Sequence, residues 1–155
     1  MLKLMKVLYD CGTITNNEIE ALGLDEGIVD DLLRKEQLVA KMTGNKVLYF
    51  LTDYGEKVYR INTNKKLFFR CSNKSKMASL VKFYATLSQE ERDTWKSKDC
   101  WYFEGFVGAI PDATYLKNGE MHAVYVTTEN TTKELISSVE AFLKERNVEN
   151  MNYIK

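Results

Sequence analysis

The chain has 155 residues, enough for one ordinary domain or two small ones, and its 45% hydrophobic and 28% charged residues are typical of a globular protein with a buried core. It lacks an apolar run near the roughly 20 residues of a membrane span, and its start lacks a signal-peptide core, so we expect a cytoplasmic protein without a membrane partner. Net charge is zero, but residues 62–98 hold 9 basic and 3 acidic side chains, a local +6 that favours an anionic partner.

The first third of the chain has the pattern of three short helices. Apolar residues at helical spacing predict a helix over residues 2–10. Thr15 followed by Glu18 has the spacing of a capping box and predicts the start of a second helix, which Gly23 can end. Residues 24–33 place their apolar side chains on one face of a third helix.

A predicted β-hairpin and a closing helix follow these helices. Two β-prone runs flank the tight-turn sequence at residues 43–46, and Thr52 is a suitable N-cap for the next helix. Three helices, a hairpin and a helix are the element order of a winged helix-turn-helix domain, which we assign to residues 1–62. In such domains the second helix of the turn enters the major groove and the wing contacts the DNA backbone.

The predicted recognition helix carries acidic side chains that oppose this docking, because carboxylates repel phosphates. These acidic residues are Asp25, Glu26, Asp30 and Asp31. Arg34 and Lys35 come only near the end of the helix, and they assist DNA binding only if the helix docks by its C-terminal part. The alternative is a winged helix that contacts another protein or forms a dimer.

Residues 63–98 are a predicted basic helical connector. No acidic residue occurs between residues 62 and 89, and an apolar stripe predicts a helix that starts near Ser75. We predict backbone contacts to double-stranded DNA from this connector, from the wing and from the end of the third helix, with Asn45 at the wing tip within reach of a minor groove. The predicted DNA-binding residues are Arg34, Lys35, Lys41, Asn45, Lys46, Lys65, Lys66, Arg70, Lys74 and Lys76. The alternative is an ordinary solvated face.

Residues 99–155 have a mixed pattern and form a predicted small α/β domain. Residues 101–110 are rich in strand formers, and Asn118-Gly119 is a strong hairpin turn before a strand over residues 121–127. A clear amphipathic helix follows, and the end of the chain adds a last short strand.

The step from Pro111 to Asp112 is the one place where the sequence suggests a metal site. A metal-dependent phosphodiesterase needs at least two carboxylates to hold its cation. The strand after the hairpin carries Tyr125 and Thr127 where an acid and a lysine are expected. We therefore predict no enzyme activity, and read Asp112 as a turn residue that accepts backbone hydrogen bonds.

Other metal and cofactor chemistry finds little support in the sequence. The three cysteines are far apart and form no Cys-x-x-Cys pair, so neither a disulfide framework nor a zinc cluster is expected. The single histidine, His122, falls in a predicted strand and is read as structural. We predict no cofactor and no resident metal.

Three stretches of the chain share features with one known group of proteins. They are "LYFLTDYGEKVYR", "SNKSKMASLVKFYATL" and "IPDATYL" with the following "NGEMHAVYVTTENTTKELISSVEAFL". Together they resemble the replication-relaxation family of plasmids and mobile elements, whose members join a winged helix to a degenerate PD-(D/E)XK nuclease-like domain. Tyr125 and Thr127 depart from the family pattern, so only Asp112 is carried over, without a catalytic role.

The resemblance implies an α+β fold, with an N-terminal winged helix-turn-helix followed by a small α/β domain like a degenerate PD-(D/E)XK core. It also implies a non-enzymatic DNA-binding protein, an accessory or regulatory factor in replication or transfer of a plasmid or other mobile element. One alternative is a protein-interaction module in a plasmid or phage machine, as a homodimer or with another protein. A metal-dependent nuclease is the third reading.

Overall fold

A computed structural model describes residues 1–65, 73–103, 105 and 109–155 of the chain. The protein is a mixed α+β structure that divides into two compact units, Met1–Ala85 and Thr86–Lys155. This division falls inside the segment predicted as a connector. Among the described residues, none of the helices combines the length and apolar composition that a membrane crossing requires.

The first unit contains the predicted series of three helices, a hairpin and a helix, followed by a longer helix. Its elements are α1 (Leu2–Cys11), α2 (Asn16–Ala21), α3 (Glu26–Arg34), β1 (Leu38–Thr43), β2 (Lys46–Leu51), α4 (Asp53–Thr63) and α5 (Lys74–Thr86). Most side chains at the predicted helical spacing are buried, including Met5 and Leu8 of α1 and Leu80 and Val81 of α5, whereas Leu2 is exposed. The predicted helix from about Ser75 is confirmed.

Local side-chain hydrogen bonds explain where the short helices begin. The predicted capping box is present at α2, where Glu18 accepts a hydrogen bond from the backbone N–H of Thr15 and the Thr15 side chain caps the N3 backbone. Thr52 begins α4 by accepting a hydrogen bond of 3.0 Å from the backbone N–H of Gly55. These contacts satisfy amide groups that a helix start otherwise leaves unpaired.

The hairpin of β1 and β2 is antiparallel, with Leu38 opposite Leu51 at its base and Thr43 opposite Lys46 at its tip. An isolated antiparallel bridge joins Ile14 to Tyr49, so the segment between α1 and α2 pairs with the inner strand of the hairpin. This bridge fixes the base of the hairpin to the helices. The tip extends beyond the bridge.

A buried polar cluster connects α1 to α5. The ammonium group of Lys6 lies 2.6 Å from Asp10 Oδ2 and 3.1 Å from the hydroxyl of Tyr84, which itself donates a hydrogen bond of 3.0 Å to Asp10. Burial raises the pKa of Asp10, against the opposing attraction of Lys6. A buried carboxylate needs such partners, because an unpaired buried charge is strongly unfavourable.

The second unit is a four-stranded sheet with helices at its faces and ends. Its elements are α6 (Gln89–Asp93), β3 (Lys96–Ser97), α7 (Lys98–Phe103), β4 (Ala113–Lys117), β5 (Glu120–Val126), α8 (Lys133–Lys144) and β6 (Asn150–Ile154). The strand order is β3-β4-β5-β6; β4 and β5 form the predicted hairpin around Asn118-Gly119, and β5 and β6 are parallel. The predicted last short strand is confirmed as β6.

The core of this unit lies between the sheet and α8. Ala123 and Tyr125 of β5 pack with Val139 and Leu143 of α8, which confirms the amphipathic pattern of that helix. Trp101 of α7 meets Phe142 edge to face, with ring centroids 5.7 Å apart. The parallel pair of β5 and β6 requires a crossover, and α8 supplies it.

One predicted element is wrong. A strand was expected over residues 101–110, but residues 101–103 belong to helix α7. Residues 104 and 106–108 lie outside the described residues. Aromatic residues favour strands only weakly, and their preference depends on the packing they find. Here Trp101 is buried against α8, and this tertiary contact outweighs the local preference.

Candidate nucleic-acid interface

The tip of the hairpin in the first unit is its most exposed regular structure. Every residue from Val39 to Lys46 is exposed, although these residues lie in or between regular strands. Gly44 adopts a positive φ of 60°, which a two-residue turn requires and which glycine adopts without steric cost. The hairpin therefore presents both of its faces to a partner.

Side-chain alternation separates the exposed residues of the tip into two faces. Lys41 opposes Leu48 and Thr43 opposes Lys46, so Lys41 and Lys46 are diagonal neighbours on one face, typically about 7–8 Å apart. The ammonium group of Lys41 also lies 5.7 Å from the centroid of the Phe50 ring, a cation–π distance. The structure thus brings two of the predicted DNA-binding lysines together.

The opposite face of the tip is apolar. It carries Ala40 and Met42 of β1 and their cross-strand partners Tyr49 and Val47. The Met42 side chain is 68% exposed, which is unusual for a large apolar residue within a regular strand. Reasoning from the sequence missed this face, although the alternation of lysines with Ala40 and Met42 could have revealed it.

The predicted cations of α3 are exposed but engaged with their own helix. Lys35 forms an ion pair with Asp31 at 2.6 Å, and Arg34 donates a hydrogen bond of 3.4 Å to the carbonyl of Asp30. The hydrogen bond from Lys35 lowers the pKa of Asp31. The end of α3 therefore has one ion pair, between Lys35 and Asp31, and its start carries exposed acids such as Glu26.

The predicted basic connector is described only in part. Lys65 after α4 and Lys74 at the start of α5 are exposed, while Lys76 is half-buried. Lys66 and Arg70 lie outside the described residues. Burial raises the pKa of Asp10, and the charge of Lys65 is among the smaller effects that oppose this rise.

A groove of about 730 Å³ runs along α4 in the same unit. Arg60 lies in it, with a guanidinium nitrogen 3.6 Å from the buried Glu56 carboxylate and Nε donating a hydrogen bond of 3.3 Å to the Lys65 carbonyl. The lining residues are Asp53, Glu56, Lys57, Arg60, Ile61, Asn64 and Lys65. Arg60 was not among the predicted binding residues, although its i,i+3 spacing from Lys57 could have indicated a shared helix face.

Asp112 in the second unit has the geometry of a structural carboxylate. Its side chain is buried, and Oδ2 accepts a hydrogen bond of 2.8 Å from the backbone N–H of Val126. Its own N–H donates to the carbonyl of Val124 at 2.9 Å. These bonds agree with the predicted role of a residue that accepts backbone hydrogen bonds.

The two positions expected to carry an acid and a lysine have other roles here. Tyr125 is buried against α8, and burial, followed by the nearby charge of Asp112, raises the pKa of its hydroxyl. Thr127 donates a hydrogen bond of 3.0 Å to the carbonyl of Ile154. Within the described part of the chain, no group of three or more histidine, cysteine or acidic side chains is placed to hold a metal ion.

No family model, curated protein or solved structure matches this chain. A proposal about function therefore depends on the geometry of the chain's own residues. The best-formed candidate in that geometry is the hairpin tip, where two lysines share one face and an exposed methionine lies on the other.

Proposed function

We propose that the protein is a non-enzymatic DNA-binding protein whose first unit is a winged helix-turn-helix domain that contacts the phosphate backbone of duplex DNA. The element order of α1 to α4 supports this proposal, and the bridge from Ile14 to Tyr49 joins the hairpin to the helices as a wing requires. The second unit would be a degenerate PD-(D/E)XK-like domain. A role as an accessory factor in replication or transfer of a plasmid or other mobile element rests on the resemblance alone.

The exposed pair of Lys41 and Lys46 carries this proposal. Both side chains lie on one face of a hairpin whose tip is exposed throughout, so they can reach phosphates without rearrangement of the fold. Lysine is a flexible point charge, suited to contacts with phosphates that do not depend on base sequence. Lys65 and Lys74 add exposed positive charge in the same unit.

The proposal assigns the leading contact to the wing because α3 is unsuited to it. The start of α3 is acidic, Lys35 just after its end is paired with Asp31, and Arg34 is hydrogen-bonded to the backbone carbonyl of Asp30. Each phosphate neutralised by a lysine releases condensed counterions, whereas each acid facing the DNA opposes binding. Contacts from the wing give affinity without bringing these acids into a groove.

Titration of a duplex at several salt concentrations tests this function. We expect the logarithm of affinity to fall linearly with the logarithm of salt, with a slope of about −0.9 for each phosphate contacted. The double variant Lys41→Gln and Lys46→Gln should bind more weakly and shift that slope by about 1.8, the value for two lost contacts. Fluorescence anisotropy of a labelled duplex measures both quantities.

The matched control removes the same charge from α8 in the second unit, by Lys133→Gln and Lys144→Gln, both exposed positions. This control should keep the wild-type slope. Equal losses in both double variants would show a general charge effect and contradict a contact made by the wing.

The acidic surface of α3 favours a second function, a contact with a basic region of another protein. Glu26 and Asp30 are exposed on its outer side, and opposite charges steer association between proteins. The same titration separates the two functions. Absence of duplex binding even at low salt would contradict DNA binding and favour this protein-contact function.

A further inference from the structure

We infer that the hairpin itself, and not α3, occupies the major groove, with its apolar face turned to the thymine methyl groups on the groove floor. This inference rests on the proposed DNA binding and adds to it a mode of docking and a preference for A·T pairs. Its main residue is Met42, assisted by Ala40 and Val47 on the same face.

The dimensions of the two partners agree with this docking. The major groove is about 12 Å wide and admits a two-stranded β-ribbon, whereas the minor groove is about 6 Å wide. Two paired strands lie about 4.8 Å apart, so a ribbon with its side chains fills the wider groove and not the narrower one. The exposed part of the hairpin comprises the eight residues from Val39 to Lys46, which run along β1, through the turn and into the start of β2.

The chemistry of the apolar face selects what it can contact in that groove. Thymine alone among the four bases presents a methyl group there, and apolar side chains contact it. Methionine is unbranched, flexible and polarisable, and it adapts to an irregular apolar surface. Met42 is 68% exposed in the free protein, so most of its apolar surface is available for burial on DNA.

The lysines on the opposite face fit the same arrangement. With the apolar face on the groove floor, Lys41 and Lys46 lie on the side that faces the groove mouth, and the phosphates line both edges of that mouth. Their long apolar stems allow the ammonium groups to extend sideways to these edges. One orientation of the ribbon thus uses both of its exposed faces.

Removal of the thymine methyl group, with no other change to the base pair, tests the contact. The probe is a duplex of alternating A·T pairs, roughly 20 base pairs or two helical turns long, compared with the same duplex in which deoxyuridine replaces thymidine. Wild-type protein should bind the uracil duplex more weakly, by about fourfold for each methyl group buried. The slope with salt should be equal on the two duplexes, because the phosphates are unchanged.

Met42→Ala should bind the thymine duplex more weakly and should discriminate less between thymine and uracil. Leu135→Ala, at an apolar position of α8 that is 42% exposed, is the matched control and should discriminate like the wild type. Both substitutions are at exposed positions, so thermal unfolding should show intact folds. A second probe, 5-methylcytosine in a G·C duplex, places a methyl group at the equivalent edge and should strengthen wild-type binding.

The outcomes separate this inference from the proposed function. No binding to either duplex overturns DNA binding itself. Salt-dependent binding with equal affinity for thymine and uracil leaves the proposed function standing and overturns ribbon docking in the major groove. A Met42→Ala variant that keeps full discrimination, or that changes self-association in sedimentation without changing DNA affinity, also overturns the contact with thymine methyl groups.

Discussion

Asp112 holds its place in the second unit through backbone hydrogen bonds. Its carboxylate accepts the N–H of Val126 within a buried environment, where the loss of a hydrogen-bond partner leaves that group unsolvated. A neutral amide oxygen could accept the same bond. An ion-binding carboxylate, in contrast, depends on its charge and on neighbouring acids. Asparagine can therefore replace Asp112 in its structural role, as a hydrogen-bond acceptor, but not in the binding of a metal ion.

We expect Asp112→Ala to lower the free energy of unfolding by about 1–3 kcal/mol, the cost of a buried donor without a partner. Asp112→Asn should retain much of that stability, because its side-chain oxygen can accept the bond from Val126. Chemical denaturation followed by circular dichroism measures both variants. A magnesium-dependent nicking assay tests the opposite role. Cleavage of DNA by the wild type that is lost in Asp112→Asn would contradict the structural role and indicate a metal nuclease.

At the scale of whole elements, the packing of α4 depends on one glycine. Gly55 lies in the first turn of α4, and a Cβ atom at this position would overlap the carbonyl oxygen of Gln37 and lie 3.1 Å from the Gln37 Cα. The neighbour is backbone, held by a hydrogen bond of 3.1 Å from the N–H of Thr52 to the same carbonyl. It cannot rotate away as a side chain could.

Gly55→Ala should therefore destabilise the protein by about 1–3 kcal/mol, the usual cost of overpacking, although alanine is the better helix former by about 1 kcal/mol. The matched control is Gly27→Ala in α3, where the nearest atom is Asp25 Oδ1 at 3.1 Å, the end of a flexible side chain. We expect this control to keep the stability of the wild type or to raise it by up to about 1 kcal/mol, because the helix preference of alanine acts there without a backbone clash. Thermal unfolding compares the two, and equal effects would contradict the close approach at Gly55.

Local signals explain why most elements could be predicted from the sequence. The capping boxes at Thr15 and Ser88 and the turn at Asn118-Gly119 are made by residues within a few positions of each other, and all three are present. Helix α7 could not be predicted in this way, because its aromatic residues favour strands locally and Trp101 is fixed by a ring 41 residues further along, that of Phe142.

At the scale of the whole molecule, the candidate site could be predicted only in part. Exposed lysines on a hairpin follow from the turn and the alternation, so Lys41 and Lys46 were accessible to prediction. The cluster of Lys6, Asp10 and Tyr84 was not, since 74 residues separate Asp10 from the hydroxyl that donates to it. Such a contact depends on the path of the chain and leaves no local pattern.

That cluster also decides where the chain can be divided. Helix α5 supplies Tyr84 and buries Leu80 and Val81, so the first unit needs α5, although the proposed winged helix ends earlier in sequence. We expect a fragment of residues 1–85 to unfold cooperatively and to bind duplex DNA with the salt slope of the full chain. All described candidate residues lie within it.

A fragment of residues 1–65 should be less stable, because it leaves Asp10 without the Tyr84 hydroxyl and exposes the surface that α5 covers. Circular dichroism melting curves and anisotropy titrations compare the fragments with the full chain. Residues 86–155 serve as the opposite fragment and should not bind, because acidic residues outnumber basic ones there by 12 to 8. Salt-dependent binding of DNA by the fragment of residues 86–155 would contradict a DNA contact made by the hairpin, because the hairpin is absent from that fragment.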